Sequence, residues 1–539
     1  MFRRQPKERI ETGEMPVVGR TEEGSLLGSP PEKERTADRS LTIFKSLVLV
    51  ALMAITLYGM LNRGLFGLER WLPVAISILG LLFISLFIAN YFTDVPRIAW
   101  VLVGLFAMLV TVKGLSLTWS ISRADAVQEL LRSSMYLATF VLAAASLSSR
   151  RLIGPFIDGM SLIAGAVAGY GVLQKTNPAE YPANSPDGVR VGSTLEYANT
   201  VAVVVGMGIT LGLGRMTQLN NPIARGLYAA LILVLGTILY FTFSRGGMLA
   251  LGVGLVVLFV VGESRLQMFA NLLLVCGPLF WLVWKAQDLD TFFRYVSDES
   301  LMAADGQAFQ TDLAIAVFAA FLLQVGYSIL VERYELVPKV RWALGMVAIA
   351  AVLVGAGFLG YLVVSQQIEK SGLFGAFAVG LEDTENASER LTSLSSNSRS
   401  IYWSIAWEEW KKHPLTGTGA GTFHYTWLEN RPGFSGVKQV HNVYLEQGTE
   451  TGVFAFLALC GFAGLLAIYT VWATWKASGK RRILLSGLTA AVIVYLFSSA
   501  LEWHWYIPPS TLFFFILAGV TVKLAAGTEQ PSPHQASEP

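Results

Sequence analysis

Charged residues are scarce in this chain, and their scarcity limits the kind of protein it can be. Only 14% of the 539 residues are Asp, Glu, Lys or Arg, whereas 53% are hydrophobic. A soluble domain has about a quarter charged residues, so the composition predicts that lipid surrounds most of the chain. The net charge of +2 adds nothing, because the placement of the charges matters more here than their sum.

Cysteine is nearly absent, and alternation of polar and apolar residues is absent as well. The two cysteines, Cys276 and Cys460, lie within apolar runs, and their spacing excludes a disulfide framework and a zinc site. Membrane strands would alternate over about ten residues. The apolar residues instead form blocks of roughly 18–22, the length of a helix that crosses the hydrocarbon core. The sequence therefore predicts an all-α, polytopic integral membrane protein.

Fourteen apolar blocks qualify as membrane spans. They lie near 42–61, 72–92, 97–113, 128–147, 152–173, 196–214, 226–243, 246–262, 268–284, 307–331, 342–364, 443–474, 483–501 and 510–526. Lys and Arg concentrate in short loops on the side of the N-terminal tail, which indicates that this side is cytoplasmic. Residues 1–40 and 527–539 are polar, so we expect disordered cytoplasmic tails on either side of a transmembrane domain of residues 41–526.

Two loops on the opposite, extracytoplasmic side are long. One covers about 174–195, and the other, about 365–441, is large enough to have structure of its own. Within it, residues 401–410 have the pattern of a helix with a stripe of tryptophans beside Lys411 and Lys412. Aromatic rings beside cations suit an amphipathic helix at the level of the lipid headgroups. Packing of the loop onto the helical bundle would explain the stripe equally well.

Unusual polar residues collect on this extracytoplasmic side. They are Arg190, Arg245 in the turn Ser244-Arg245-Gly246-Gly247, Arg399, His441, Glu502 and His504. A guanidinium group offers a rigid fork of donors that matches phosphate oxygens and keeps its charge at working pH. Converging arginines at a membrane surface would therefore suit a lipid-linked phosphate or pyrophosphate. For Arg245 the alternative is a side chain that anchors the turn among lipid headgroups.

His441 stands at the head of the twelfth predicted span, followed by Asn442, Glu446 and Glu450 on one side of the helix. Acidic groups in the first turns of a span are costly unless they face a wet cavity or a partner. Because histidine titrates near neutral pH, His441 could take a proton from a sugar hydroxyl. Its alternative is a helix-capping or core histidine. Glycines 448 and 452 form a pair that would let a neighbouring helix approach closely.

Two further patterns do not indicate a site. The glycine-rich stretch 417–421 resembles a nucleotide-binding loop only faintly, because no strand or βαβ unit precedes it. His424, His441 and His504 lack the spacing of metal ligands. We therefore expect no metal and no cofactor, and the sequence gives no reason to expect a nucleic-acid partner.

Several motifs, taken in order, resemble the O-antigen ligase and O-antigen polymerase superfamily of bacterial surface-polysaccharide enzymes. They are Leu117-Thr118-Trp119-Ser120, the stretch from Gly192 to Asn199, Ser244-Arg245-Gly246-Gly247, Asn397-Ser398-Arg399, the stretch from Pro414 to Gly419, and His441-Asn442 ahead of Gly448 and Gly452. The resemblance covers roughly residues 100–500, and the His-Asn pair is its most specific part. Ala198 stands where the family often has proline, and fourteen spans exceed the family's usual ten to twelve.

The resemblance implies a metal-independent glycosyltransferase with a GT-C-like helical fold in the bacterial inner membrane, active on the extracytoplasmic side. Its donor would be a glycan on undecaprenyl pyrophosphate, and its acceptor a hydroxyl group of a glycan, lipid or protein. By carry-over, Arg245 and Arg399 would hold the pyrophosphate and His441 would activate the acceptor. We further expect substrate-binding roles for Arg190, Ser244, Asn442, Glu446 and Asn199.

Other functions fit part of the pattern. A ligase, a chain-extending polymerase and a protein O-glycosyltransferase of the same superfamily share these motifs, and the sequence does not separate them. A membrane transporter is the alternative from another class. A carrier should place its binding residues near the middle of the membrane, whereas the charges here concentrate at one surface. Asp158, two turns into the fifth predicted span, is the clearest exception.

Overall fold

A computed structural model of the chain describes residues 2–4, 32–182, 188–336, 340, 342–347, 350, 354, 398–434 and 436–527. Two three-residue strands, Phe2–Arg4 (β1) and Tyr334–Leu336 (β2), pair in antiparallel orientation. Helices account for the rest of the regular structure in these residues. This confirms the predicted class, a polytopic α-helical membrane protein.

Fifteen α-helices form the described part of the molecule. They are α1 (Glu32–Leu61), α2 (Leu68–Leu86), α3 (Arg97–Ser116), α4 (Arg123–Ser146), α5 (Ile153–Thr176), α6 (Ala198–Gln218), α7 (Pro222–Phe241), α8 (Arg245–Val261), α9 (Arg265–Ala286), α10 (Glu299–Arg333), α11 (Arg399–Lys412), α12 (Phe423–Asn430), α13 (Val443–Lys476), α14 (Gly479–Ser498) and α15 (Pro508–Ala526). Short 3-10 turns, Ser193–Leu195, Asp290–Phe292 and His504–Tyr506 among them, lie in the connections.

Eleven described helices are long and apolar enough to cross a membrane. The helix α8 is apolar but shorter, and α4 is long but carries charged residues in its first half. Together these thirteen helices coincide with thirteen of the fourteen predicted spans. The remaining span, near 342–364, lies mostly outside the described residues, as do most of the two predicted tails and residues 365–397 of the predicted long loop.

Some predicted boundaries are wrong. The second span was expected near 72–92, but α2 ends at Leu86, and Asn90 has a positive φ of 63° in the turn that follows. The tenth was expected from 307, but α10 begins at Glu299, where the carboxylate of Asp298 accepts hydrogen bonds from the first turn. The helix α1 begins at Glu32, inside the predicted N-terminal tail. Polar turns extend α1 and α10 beyond their apolar blocks, and α2 ends before its block does, so hydropathy alone misplaces the ends.

The helix α6 lies at the centre of the bundle. It is almost entirely buried and packs against α5, α7, α8 and α14. Near the end of α6, an added Cβ at Gly214 would lie 3.0 Å from the Cα of Gly487 on α14. Small residues at helix contacts let backbones approach closely inside a membrane, so these two glycines bring α6 and α14 together.

The connections that carry the predicted site residues gather at one end of the bundle, which we call the loop end. Backbone hydrogen bonds join these connections to one another: Ile121 N donates to Thr418 O, Val191 N to Phe241 O, and Val443 N to Ser499 O. Because successive helices run in opposite directions, the chain between α1 and α2, α3 and α4, α5 and α6, α7 and α8, α9 and α10, and α14 and α15 lies at this same end.

The helix α13 is interrupted at Gly452, which has φ 75° and ψ −174°. A Cβ at Gly452 would lie 2.0 Å from the carbonyl oxygen of Leu415, and a Cβ at Gly448 would lie 2.6 Å from the Trp410 ring. The two glycines therefore admit the end of α11 and the segment after it. The predicted close approach of a neighbouring helix is therefore met at Gly448 by α11, whereas Gly452 faces the segment after it. Val453 N donates to Pro414 O across the break.

The aromatic helix predicted at 401–410 corresponds to α11. Its inner face is covered, because Tyr402 and Ala406 pack with Trp427 and Val440 in a small separate core. Trp410 lies against Gly448 on α13, whereas Trp407 is half exposed. Packing on the bundle therefore accounts for part of the tryptophan stripe, and the exposed ring retains the character expected of a helix near lipid headgroups.

Candidate active site

A polar cleft of about 260 Å³ opens at the loop end. It is lined by Arg190, Asn199, Phe243, Ser244, Arg245, Gly246, Arg399 and Glu502. These residues come from four separate stretches of the chain. Five of them, Arg190, Asn199, Ser244, Arg245 and Arg399, were predicted site residues, and the structure brings them together.

The turn between α7 and α8 presents Arg245. Ser244 caps α8, because its hydroxyl accepts a hydrogen bond from Gly247 N at 3.2 Å. A Cβ at Gly247 would lie 2.3 Å from the Cβ of Ala202, so glycine at this position lets α8 touch α6. Gly246 lines the cleft, and no other group lies within 4 Å of the position its Cβ would take. A side chain at position 246 would therefore occupy the cleft itself.

Glu502 is the anionic centre of the cleft. Its buried carboxylate forms an ion pair with Arg399. It also accepts hydrogen bonds from Asn199 Nδ2 at 2.7 Å and from the Tyr197 hydroxyl at 2.7 Å. Burial raises the pKa of Glu502, but the charge of Arg399 and the hydrogen bond from Tyr197 outweigh burial, and the net pKa lies below its usual value. The carboxylate is therefore ionised and holds Arg399 in place.

Arg190 joins this centre through Asn199. Its Nη2 donates to Asn199 Oδ1 at 2.5 Å, and its Nε donates to Thr242 O at 2.7 Å. Asn199 thereby links Arg190 to Glu502. Three guanidinium groups and one carboxylate line the cleft, so its net charge is 3 − 1 = +2. A net positive, partly dehydrated surface of rigid donors is suited to a phosphate-bearing ligand.

His441 lies beside the cleft, and the backbone fixes its tautomer. Its Nδ1 is 3.0 Å from Gln439 O, so Nδ1 carries the proton and donates it to this carbonyl. The Nε2 atom is left with a lone pair that can accept a proton. The ring lies 5.3 Å from the Tyr402 ring and 6.3 Å from the Trp503 ring, between centroids. Burial lowers the pKa of His441, although Glu502 opposes the shift. The imidazole is therefore neutral at pH 7.

Asn442 has a capping role in the structure. Its Oδ1 accepts hydrogen bonds from Tyr444 N and Leu445 N, both at 3.1 Å, and so it caps α13. An N-cap of this type typically stabilises a helix by about 1 kcal/mol. The cap sets the direction of α13 directly after His441. The side-chain oxygen of Asn442 is therefore bonded to the helix, and the predicted role of Asn442 in substrate binding stays a prediction.

Glu446 lies apart from the cleft, in a second buried group of charges. Its carboxylate accepts a hydrogen bond from the Tyr506 hydroxyl at 2.8 Å. Beside it, Lys113 Nζ lies 3.1 Å from the carboxylate of Glu129, which also pairs with Arg132. The guanidinium of Arg132 stands 5.0 Å from the centre of the Tyr506 ring. No described contact joins Glu446 to Arg190, Arg245 or Arg399, and its role in substrate binding stays a prediction.

Glu450 holds the glycine-rich stretch 417–421 in place. Its carboxylate accepts hydrogen bonds from Gly421 N at 2.8 Å and Phe423 N at 3.0 Å, and its carbonyl accepts one from Gly419 N at 2.7 Å. Gly417, Gly419 and Gly421 all have positive φ, which only glycine adopts without strain. The stretch is thus a turn packed on α13, and its amides are used within the protein.

Asp158 does not form a binding site within the membrane. It accepts hydrogen bonds from Arg215 Nε at 2.8 Å, Arg215 Nη2 at 2.9 Å and the Tyr228 hydroxyl at 2.5 Å. Arg215 lies in the last turn of α6, at the end of the bundle opposite the loop end. Asp158 is therefore part of a structural ion pair. In the described part of the chain, no group of three His, Cys, Asp or Glu side chains is arranged to hold a metal ion.

Sequence reasoning missed the central role of Glu502 and the contribution of Tyr197. Both residues stand beside positions that were singled out, since Glu502 was noted at the end of a span and Tyr197 is two residues before Asn199. The signal was an acidic residue on a side of the membrane that already held several arginines. Which arginine it pairs with depends on how distant loops fold together.

A bundle of apolar helices with a cationic cleft at one end defines a multi-pass membrane protein whose polar chemistry lies at that end. A family model described as O-antigen ligase matches residues 310–460, a segment that contains Arg399 and His441. This match confirms the resemblance to the O-antigen ligase superfamily and supports a glycosyltransferase-like function of the ligase or polymerase type. No curated protein matches the chain significantly.

Proposed function

We propose that this protein transfers a glycan from undecaprenyl pyrophosphate to an acceptor hydroxyl group at the extracytoplasmic face of the bacterial inner membrane. The observation that carries the proposal is the cleft of net charge +2 at the loop end, lined by Arg190, Arg245 and Arg399. A pyrophosphate diester carries about one negative charge on each of its two phosphates. The charges of donor and cleft are therefore matched.

The placement of charge along the bundle supports this orientation. The short connections at the end opposite the loop end are rich in Lys and Arg: Arg150 and Arg151, Arg215 and Arg225, and Lys476, Lys480, Arg481 and Arg482. Cytoplasmic loops carry such an excess in membrane proteins. The loop end, with the cleft, then faces outward, where a lipid-linked glycan is within reach once it has crossed the membrane.

The proposed reaction is a single displacement at the first sugar of the donor. The acceptor hydroxyl oxygen forms a bond to the anomeric carbon, and the bond between that carbon and the phosphate oxygen breaks. His441 Nε2 takes the proton of the hydroxyl group. Undecaprenyl pyrophosphate leaves with one more negative charge than it had in the donor. Arginine side chains placed around this oxygen stabilise the charge as it develops.

Glu502 would serve the reaction by holding Arg399. A guanidinium that is already oriented by a carboxylate loses little conformational freedom when it binds phosphate. The same carboxylate keeps the arginines of the cleft from repelling one another. Its ion pair with Arg399 and its hydrogen bond from Asn199 place it between two of the three cations.

A ligase, a polymerase and a protein O-glycosyltransferase differ in the acceptor, and each remains compatible with this cleft. A transporter is supported less well. Broken helices near mid-membrane are typical of carriers, and α13 is broken at Gly452, but the chain around Leu415 fills that break. Asp158, the clearest exception to the concentration of charges at one surface, is paired with Arg215 at the opposite end.

Transfer with purified components tests the proposal. The full-length protein in lipid nanodiscs is mixed with an undecaprenyl-pyrophosphate-linked glycan and, in parallel reactions, with lipid, glycan and peptide acceptors. We expect a larger product with one acceptor class and release of undecaprenyl pyrophosphate. Arg399→Ala should abolish transfer, whereas Arg123→Ala, an exposed arginine at the loop end outside the cleft, should not. If no acceptor is modified but proteoliposomes move the glycan lipid across the bilayer, the protein is a transporter.

A further inference from the structure

Arg190 lines a second cleft besides the one that contains Glu502. This cleft has a volume of about 490 Å³, and its walls include Gln174, Lys175, Gly188, Arg294 and Tyr295. This volume includes the solvent at the open mouth of the cleft. Arg190 lines both clefts, so a ligand in the second would lie beside the residue that faces a phosphate group in the first.

The walls of the second cleft are held in position by a buried lysine. Lys175 Nζ donates to Val189 O at 2.7 Å and to Phe292 O at 3.0 Å, and so it ties the loop before α6 to the loop before α10. Its ammonium group lies 5.3 Å from the centre of the Phe241 ring and 5.1 Å from that of Phe292. A cation with two carbonyl bonds and two aromatic faces is firmly placed. The cleft is therefore formed before any ligand binds.

Tyr295 provides an aromatic surface at this cleft. Tyr295 is 76% exposed, whereas Phe293, two residues earlier, is buried. The ring rests against Gly188, since a Cβ there would lie 2.8 Å from Tyr295 Cδ2, and Gly188 has φ +66°. One part of the ring is thus supported by backbone while the rest is open. An exposed, supported tyrosine offers a large contact surface with little loss of freedom on binding, and the apolar C–H face of a sugar ring fits such a surface.

The charge of the second cleft is positive. Three cationic residues, Lys175, Arg190 and Arg294, line the cleft, and none of its described lining residues is acidic. The carboxylate of Asp305 accepts hydrogen bonds from the lining residue Thr291, from N at 3.2 Å and from Oγ1 at 2.8 Å, and offsets one of the three charges. Gln174 adds an amide whose oxygen accepts a hydrogen bond from Ser193 N at 2.7 Å. Neutral sugars need paired donors and acceptors, whereas a surface rich in cations favours a ligand with negative charge.

We infer that this second cleft binds a saccharide unit that carries a carboxylate or another anionic substituent, stacked on Tyr295 and paired with Arg294. The inference rests on the proposed function, because it places a sugar of the transferred or receiving glycan next to the pyrophosphate. In either case, the donor glycan or the acceptor glycan, the ligand of the cleft is an acidic sugar. Whether it belongs to the donor or to the acceptor is decided by the kinetic experiment described below.

A binding experiment without lipid donor tests the cleft independently of transfer. The probes are a tetrasaccharide of alternating glucuronate and N-acetylglucosamine and its carboxyl-reduced, neutral counterpart. Their binding to the full-length protein in nanodiscs is followed by saturation-transfer NMR at low salt. We expect the acidic probe to bind at least fivefold more tightly than the neutral one. Arg294→Gln should remove this preference, and Tyr295→Ala should weaken both probes at least fivefold.

Matched controls are Arg123→Gln and Tyr425→Ala, which change exposed residues at the loop end outside both clefts. They should bind both probes as the unchanged protein does. Equal binding of the two probes, no binding of either, or unchanged affinities in Arg294→Gln and Tyr295→Ala would each overturn the inference. Arg245→Ala should retain probe binding but lose transfer, so a failure of the proposed function appears in the transfer assay alone.

The transfer reaction then assigns the sugar to one substrate. If Tyr295→Ala raises the KM for the glycan donor, the cleft holds a donor sugar, and if it raises the KM for the acceptor, the cleft holds an acceptor sugar. Either result supports the inference. Unchanged KM values for both substrates, with an acidic glycan as donor and as acceptor, contradict it.

Discussion

The imidazole of His441 has one nitrogen committed to the backbone and one that remains a base. Nδ1 donates to Gln439 O, and burial keeps the pKa below its ordinary value of about 6.5. If neutral Nε2 takes the acceptor proton, activity should rise with pH along a limb whose apparent pKa lies below that value. His441→Ala should lower turnover by about two to four orders of magnitude. Measurement of kcat against pH, with donor binding scored separately, checks both expectations.

The competing bases for this reaction are Glu446 and Glu450. The structure commits Glu446 to Tyr506 and Glu450 to the amides of Gly421 and Phe423. His441→Gln keeps a hydrogen-bonding side chain but cannot take a proton, so we expect it to be nearly as poor as His441→Ala. An active His441→Gln together with an inactive, folded Glu446→Gln would exclude the histidine as base.

Substitutions of Arg245 test whether donor binding depends on the bidentate geometry of its guanidinium group or only on its charge. Arg245→Lys keeps the charge but loses the bidentate geometry, so the Kd for the donor should rise at least several-fold. Arg245→Ala should raise it further. Donor titration of the protein in nanodiscs gives these values. If Arg245→Ala binds and transfers normally, the arginine only anchors the turn between α7 and α8.

The contributions of Arg399 and Glu502 to stability should be coupled. Breaking a buried ion pair by removing one partner leaves the other charge uncompensated. Arg399→Gln and Glu502→Gln should therefore each lower the melting temperature, and the double variant should be more stable than the sum of the two shifts implies. The exposed pair Lys411 and Glu408 is a matched control, because it should show almost no coupling. Additive shifts at both pairs would mean that the cleft pair is not coupled.

Among the helices, α13 carries the feature most sensitive to substitution. Gly452 has φ 75°, and a Cβ there would lie 2.0 Å from Leu415 O. Gly452→Ala should therefore displace the segment that follows α11, lower the melting temperature and open this segment to protease. Gly464→Ala is the control, since no group lies within 4 Å of its Cβ position on the same helix. Equal melting temperatures for the two variants would show that the break tolerates a side chain.

At the scale of the whole molecule, we predict how the helical bundle is oriented in the membrane. Ser404 on α11 and Ser478 before α14 are exposed and lie at opposite ends. In a background with Cys276 and Cys460 replaced by serine, a membrane-impermeant maleimide should label Ser404→Cys in intact cells and leave Ser478→Cys unlabelled. Lysed cells, in which both cysteines react, are the control. Labelling of position 478 but not 404 in intact cells would reverse the proposed orientation.

Much of the fold could be predicted from the sequence, because a membrane span is a local property. Its signal is the length of an apolar run compared with the thickness of the bilayer, and no distant residue is needed to recognise it. The same holds for Arg245, since a cation in a short turn is visible in a few residues. Helix ends were less predictable, because caps such as Asp298 extend a helix beyond its apolar block.

The site depended on contacts between residues that are far apart in the chain. Arg399 and Glu502 are separated by 103 positions, and Asn199 and Glu502 by 303. Glu446 and His441 are close in sequence, yet Glu446 bonds to Tyr506 and has no described contact with Arg190, Arg245 or Arg399. Composition and hydropathy therefore established a membrane-embedded helical protein with cations at one surface. Which carboxylate holds which arginine depends on tertiary packing, because a buried charge is stable only beside the partner that the folded chain brings to it.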